Sequence, residues 1–167
     1  MENVEIKARC PDLAAMSRAV GAAGAVFERS IEQIDTYFTA RNGRLKLRRE
    51  DGVDRSLIFY RRPDDSSPKV SSYDLMTIAP HQHVGSLLEQ ALGIKIVVRK
   101  RRQLWRLDNI RIHLDEVEGL GAFIEFEVEV LPGRDVPGCR IQAEELLRRL
   151  GIPEANLLAG SYSDLML

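Results

Sequence analysis

The 167-residue chain has two cysteines, Cys10 and Cys139, too few for a disulfide framework and without metal-ligand spacing, so two reduced thiols are expected. It has no apolar run approaching the roughly 18 residues of a membrane-spanning helix. Its first residues, Met1-Glu2-Asn3-Val4-Glu5, lack the basic-then-apolar pattern of a signal peptide. A cytoplasmic protein without a membrane partner is the expectation. Excess charge of one sign is missing as well: 24 Lys+Arg stand against 25 Asp+Glu, a net charge of -1, whereas a nucleic-acid binder is more often basic overall. No internal repeat, low-complexity tract or linker breaks the chain. With 44% apolar residues, residues 1–167 are expected to form one domain around one core.

What the near-zero net charge conceals is segregation. Basic residues crowd Arg41 to Arg62 and Lys95 to Arg111, and Asp115, Glu116, Glu118, Glu125, Glu127 and Glu129 follow at once. The element signals are mostly those of strands. Val4 to Arg9 alternates apolar and charged residues. Asp12 caps a helix carrying Leu13, Met16 and Val20, which stops near Gly21 or Gly24. Extended segments are expected at Ile31 to Thr39, Arg44 to Glu50 and Leu57 to Arg62, separated by the turns Arg41-Asn42-Gly43 and Asp51-Gly52.

Pro63 to Pro68 reads as a loop and Lys69 to Ala79 as extended. A helix follows over His81 to Leu92, with Val84, Leu87, Leu88 and Ala91 as its apolar stripe and Gly93 as its stop. Strands are expected at Ile94 to Leu104, Asn109 to Asp115 and Ala122 to Leu131, then a loop at Pro132 to Gly138 and a third helix at Arg140 to Leu150. So many strands joined by short turns exclude a doubly wound parallel sheet and predict a mainly antiparallel α+β fold.

Several strands carry apolar residues at one set of alternate positions and charges at the other: Ile110, Ile112 and Leu114 against Arg111, His113 and Asp115, and Ile124, Phe126 and Val128 against Glu125, Glu127 and Glu129. Two arrangements satisfy this alternation. One is a sheet with a wet face; the other is a barrel with its charges inside and its apolar face covered by helices. The second would suit a polyanion and its metal ions, since carboxylate oxygens suit Mg²⁺ or Mn²⁺ and Lys/Arg suit phosphate oxygens. No GxxxxGK[ST] sequence exists, so phosphate would have to be held by side chains.

Asn3-Val4-Glu5-Ile6-Lys7-Ala8-Arg9 resembles the opening ExExK signature of the CYTH superfamily, also called triphosphate tunnel metalloenzymes, and the likeness is closest to bacterial class IV adenylate cyclase-like proteins. Further matches are Gln33-Ile34-Asp35-Thr36-Tyr37-Phe38, Leu45-Lys46-Leu47-Arg48, Tyr60-Arg61-Arg62-Pro63-Asp64, Pro68-Lys69, Val98-Arg99-Lys100-Arg101-Arg102, and Arg111 to Gly121 leading to Phe123-Ile124-Glu125-Phe126-Glu127. They occur in family order. The resemblance implies an eight-stranded antiparallel β tunnel or barrel with helices packed outside, a triphosphate substrate and a divalent metal, Mg²⁺ or Mn²⁺. It implies Glu5, Asp115, Glu125 and Glu127 as metal ligands, with Asn3 standing where the first Glu of the signature is expected.

By the same resemblance Lys7, Arg9, Lys46, Arg48, Arg61, Lys69, Lys100, Arg102 and Arg111 face phosphate oxygens. Arg61 and Arg62 have opposite parity, so only one can face inward. Lys7 and Tyr37 are the candidate catalytic residues, Tyr37 as a hydroxyl that a neighbouring lysine would activate; a core tyrosine is the plainer alternative. His81 and His83 lack zinc spacing, His113, in the charged set of its strand, reads as a hydrogen-bond partner rather than a ligand, and Trp105 is a packing residue before it is a base-stacking one. The expected enzyme is a triphosphatase or a class IV adenylate cyclase. Its small-molecule partner would be ATP, thiamine triphosphate or tripolyphosphate, and it would act as a monomer or homodimer. A non-catalytic binder of polyphosphate, nucleotide or nucleic acid is the rival.

Overall fold

A computed structural model of the chain describes residues 2–61 and 69–167, Lys69 by its backbone alone. Arg62, residues 63–68, where a loop is expected, and the side chain of Lys69 lie outside the described residues. Eight strands, β1 (Glu2–Arg9), β2 (Val26–Phe38), β3 (Arg44–Glu50), β4 (Val53–Arg61), β5 (Lys69–Thr77), β6 (Ile94–Leu107), β7 (Ile110–Val117) and β8 (Gly121–Glu129), are joined by helices α1 (Leu13–Ala22), α2 (Val84–Leu92), α3 (Val136–Arg149) and α4 (Tyr162–Met166). The strands close into an antiparallel barrel in the order β1-β5-β4-β3-β2-β6-β7-β8. The α+β expectation holds. Of the two arrangements that the alternation left open, the chain builds the barrel with charges inside.

The reason is where the apolar parity finds cover. Val4, Ile6 and Ala8 of β1, Ile110, Ile112 and Leu114 of β7, and Ile124, Phe126 and Val128 of β8 point outward and are buried under Val20 of α1 and Cys139, Ala143 and Leu146 of α3. Each of the Val, Ile, Leu and Phe side chains in that set contributes roughly 1.5 to 3 kcal/mol when buried, and a one-residue slip of register would turn the whole set inward. That outer seam therefore fixes which residues enter the barrel. On the far side, Val84 and Leu88 of α2 pack over Phe38, Leu47 and Ile78. Both cysteines are buried and free.

Helix α1 begins at Leu13 behind its Asp12 cap, as expected, whereas α2 and α3 differ from expectation at their starts. α2 begins at Val84, after a turn closed by Gln82 N donating to Ala79 O at 2.9 Å, and Leu87, expected on its apolar stripe, is 67% exposed. α3 begins at Val136 because Asp135 caps it by accepting from Gly138 N, and Pro137 sits in the first turn, where no N–H is required. α4 has a capping box, with Ser161 accepting from Asp164 N and Asp164 from Ser161 N. The β3–β4 hairpin turns as its sequence predicts: Asp51 and Gly52 have φ of 47° and 83°, the positive pair of a type I′ turn.

Closure gives the site its geography. Strands four places apart in the barrel order lie on opposite walls and run parallel, so β8 faces β3, β1 faces β2 and β5 faces β6. The C-terminal ends of β3, β5, β6 and β8 then share one end with the N-terminal ends of β1, β2 and β7. Arg29, Glu50, Leu75, Leu104 and Glu129 belong to this end. The opposite end is occupied by α4, whose Tyr162 ring lies 4.9 Å from that of Phe123 and is held by Tyr162 Oη donating to Asp115 Oδ2 at 2.7 Å. No helix among the described residues is long and apolar enough to cross a membrane.

Candidate active site inside the barrel

The barrel encloses a cavity of about 430 Å³. One wall carries acids: Glu5 from β1, and Glu125, Glu127 and Glu129 from β8. The wall opposite β8 carries Lys46 and Arg48 from β3, with Lys100 and Arg102 beside them on β6. The charges that the sequence segregates by position are thus brought face to face.

Three of those cations, Lys46, Arg48 and Lys100, converge on Asp35, an inward residue of β2 that is fully buried. Arg48 donates to it through Nε at 2.9 Å and Nη2 at 3.0 Å, Lys46 Nζ lies at 3.1 Å, Lys100 Nζ at 3.4 Å, and Gln33 Nε2 at 3.2 Å. Burial alone would raise the Asp35 carboxyl, but Arg48, Lys46 and Lys100 outweigh it and hold it well below the usual range. Burial also brings Lys100 down to about 7, even with Asp35 pulling it the other way. Lys100 therefore sits at the edge of losing its charge, and an arriving anion would restore it.

On the acidic side Lys7 Nζ lies 3.1 Å from Glu125 Oε1 and 3.9 Å above the centre of the Tyr162 ring. Arg102 reaches Glu125 Oε2 at 3.0 Å, and Arg111 Nη2 reaches Glu127 Oε2 at 2.6 Å. Burial would raise Glu125, but Lys7, the His113 hydrogen bond and Arg102 hold it well below its ordinary range. His113 lines the same wall, 4% exposed, and burial together with Arg102 lowers its pKa, favouring the neutral ring.

Asn3 also lines the cavity at 2% exposure, and its Oδ1 has no hydrogen-bond partner among the described residues. A buried acceptor left without a donor is unfavourable. An amide oxygen beside carboxylates is a donor set that a divalent cation satisfies, so the residues present fit a metal of the Mg²⁺ or Mn²⁺ kind.

Most expected site residues meet here: Asn3, Glu5, Lys7, Tyr37, Lys46, Arg48, Lys100, Arg102, Arg111, Glu125 and Glu127 all line the one cavity. Three are placed otherwise. Asp115, expected among the metal ligands, is fully buried behind the wall: Arg102 Nε and Nη2 take both its oxygens at 2.6 Å and Tyr162 adds a third bond. Burial would raise its pKa, but Arg102 overrides that and brings it to about 2. Arg61 points out of the barrel, exposed over the Phe59 ring, because Ile58 and Tyr60 of β4 take the inward parity. Arg9 shares the inward parity of β1 but is exposed, 5.5 Å from the Phe123 ring centre. Tyr37 lines the cavity with its hydroxyl 3.4 Å from that of Tyr60 and Lys46 Nζ 5.6 Å from its ring centre.

Asp35 and Tyr162 were not foreseen. Asp35 stands in the same parity as Gln33 and Tyr37, a signal present in the sequence but overshadowed by the basic residues around it. Tyr162 had no strand periodicity to place it.

The comparisons point the same way. MJ0240 of Methanocaldococcus jannaschii, a candidate adenylate cyclase by name, is 28% identical over 99% of this chain and 98% of its own length. The adenylate cyclase CyaB of Aeromonas hydrophila is 26% identical over 97% and 87%. Among solved structures, PH1819 of Pyrococcus horikoshii superposes with a TM-score of 0.78 at 26% identity, covering 99% of this chain and 98% of that one. HpAC1 of Hippeastrum, an adenylyl cyclase candidate described with a dominant triphosphatase activity, gives 0.58 at 19%, covering 98% and 93%, a likeness of fold. The profile of the CYTH domain matches residues 1–162, which include all eight strands of the barrel and both opposed walls, and the chain belongs to the CYTH domain family.

Proposed function

We propose that the chain is a divalent-metal-dependent enzyme that admits a triphosphate into the barrel and cleaves it with water to a diphosphate and phosphate. The observation that carries the reading is the opposition of walls: carboxylates on β1 and β8 face Lys46 and Arg48 on β3 across one cavity. A phosphoryl chain fits between them with its oxygens toward the cations, and the acids opposite would repel it unless a cation lay between.

When bound, the metal ion supplies positive charge to phosphoryl oxygens and polarises the bond to be broken. Glu5, Glu125, Glu127 and the amide of Asn3 are the residues that would hold it. Lys46, Arg48 and Lys100 bind the phosphoryl oxygens and neutralise the charge that develops on them, from positions Asp35 has fixed in advance. Arg102, pinned by Asp115, keeps the junction between the walls rigid. Tyr37, with its hydroxyl beside Tyr60 and its ring beside Lys46, would orient the attacking water.

Cyclisation of ATP to cyclic AMP and pyrophosphate is the second reading, favoured by the names of both curated relatives. HpAC1, with its triphosphatase description, favours hydrolysis. Purified protein offered ATP and tripolyphosphate in parallel, with Mg²⁺ or Mn²⁺ and with EDTA, decides. Phosphate release from tripolyphosphate without cyclic AMP supports the hydrolase. Cyclic AMP with stoichiometric pyrophosphate replaces it with the cyclase, and binding without turnover with the non-catalytic module.

A further inference from the structure

We propose that His113 is itself a metal ligand, and that its nitrogen makes the cation site of the barrel select Mn²⁺ or Co²⁺ over Mg²⁺. The inference rests on the metal-dependent reading above and adds to the carboxylates a donor of a different kind. His113 Nδ1 lies 3.4 Å from Glu125 Oε2 and 4.0 Å from Glu127 Oε1, and the candidate ligand atoms of these three residues all lie within 4.8 Å of one another. Bonds of about 2.0 to 2.2 Å from a first-row cation to imidazole nitrogen and carboxylate oxygen place two donors of one ion roughly 3 to 4 Å apart. The spacings found are of that size.

The oxygens are also suitably divided. Arg111 takes Oε2 of Glu127 at 2.6 Å, so Oε1 is the atom turned toward His113. Glu125 is shared with Lys7 on one oxygen and Arg102 on the other, and makes the weaker contribution to the ion. Asn3 lines the same cavity and is an independent observation: its Oδ1 is a buried acceptor, the residue 2% exposed, with no donor among the described residues, an oxygen a cation would satisfy.

Hard Mg²⁺ keeps to oxygen ligands and dehydrates reluctantly, whereas imidazole suits the transition metals. Without the ion, Nδ1 donates its proton to Glu125 Oε2 at 3.4 Å; an ion there would take the Nδ1 lone pair, with the proton of the neutral ring carried on Nε2 instead.

The test titrates the metal-free protein with Mn²⁺, Co²⁺ and Mg²⁺ in turn by calorimetry, for the parent chain and for His113→Gln and His113→Asn. The parent is expected to bind Mn²⁺ and Co²⁺ at least about tenfold more tightly than Mg²⁺, and both variants to lose most of that preference with little change toward Mg²⁺. Pulsed EPR of Mn²⁺ in parent protein carrying ¹⁵N-histidine is expected to show nitrogen coupling, and this measurement decides alone if the variants do not fold. Equal Mn²⁺ to Mg²⁺ ratios in parent and variants, or Mn²⁺ binding without nitrogen coupling, overturns the role of His113 and leaves the metal-dependent reading standing. A parent chain that binds none of the three ions overturns both.

Discussion

Arg48 grips Asp35 with two hydrogen bonds, from Nε to Oδ1 at 2.9 Å and from Nη2 to Oδ2 at 3.0 Å. The carboxylate so held is shared with Lys46 and Lys100. It is a resident anion at the place where a phosphoryl group would be gripped.

Replacing Asp35 with Asn therefore leaves the cations gathered but uncompensated. Removing one partner of a buried pair typically costs about 3 to 5 kcal/mol, so the variant is expected to melt well below the parent. Tripolyphosphate should return more of that loss than it adds to the parent, because it supplies the missing charge. Thermal unfolding with and without tripolyphosphate checks this; an equal gain in both proteins would reduce Asp35 to a packing role.

Lys100 gives a pH signature. With its folded pKa near 7 and an unfolded value near 10.4, the folded chain binds fewer protons than the unfolded one between these limits. Stability from this group thus rises with pH across that window, and the penalty of burying the charge is full below it. Urea unfolding from pH 6 to 9.5 should show a rising contribution that Lys100→Met lacks. A variant with the parent's slope would place the titration elsewhere.

Asp115 works in the opposite sense. Its carboxyl, brought to about 2 by Arg102, contributes stability that is fully present above the unfolded value near 3.9 and is lost as pH falls toward 2. Asp115→Asn should abolish that acid-dependent loss. Tyr162→Phe, which deletes one bond to Asp115, is expected to cost about 1 kcal/mol and to speed hydrogen exchange in α4. Exchange rates unchanged from the parent would show that α4 is held by its apolar contacts alone.

Among the acids, Glu127→Gln should raise the Mg²⁺ or Mn²⁺ concentration needed for half-maximal tripolyphosphate cleavage, and Asn3→Glu should lower it by adding a carboxylate to the wall. Arg61→Ala, on the outer surface, should leave the affinity for tripolyphosphate where it was. Metal titrations of rate, read together with ligand affinity, separate the three. Identical curves for Glu127→Gln and the parent would remove Glu127 from the metal site.

The parity of the strands was readable because each inward position alternates with an outward apolar one, and the outward set needs helices over it. Val4 and Ile6, or Ile124 and Phe126, announce their covered face, and Glu5 and Glu125 follow to the other. What alternation does not carry is which inward charges meet. Asp115 has the parity of a ligand, yet Arg102 lies opposite it in the β6–β7 register and claims it. Arg9 has the same parity as Lys7 but stands one step too far along β1. α4 had no signal of its own length, since a five-residue helix held by a capping box and one buried tyrosine shows no periodicity.

Barrel closure also governs traffic. With every strand hydrogen-bonded on both sides and α4 seated at one end, a triphosphate bound as proposed would be reached from the end where Leu75 and Leu104 line the cavity. On that route the fragment lying nearer α4 would leave after the other.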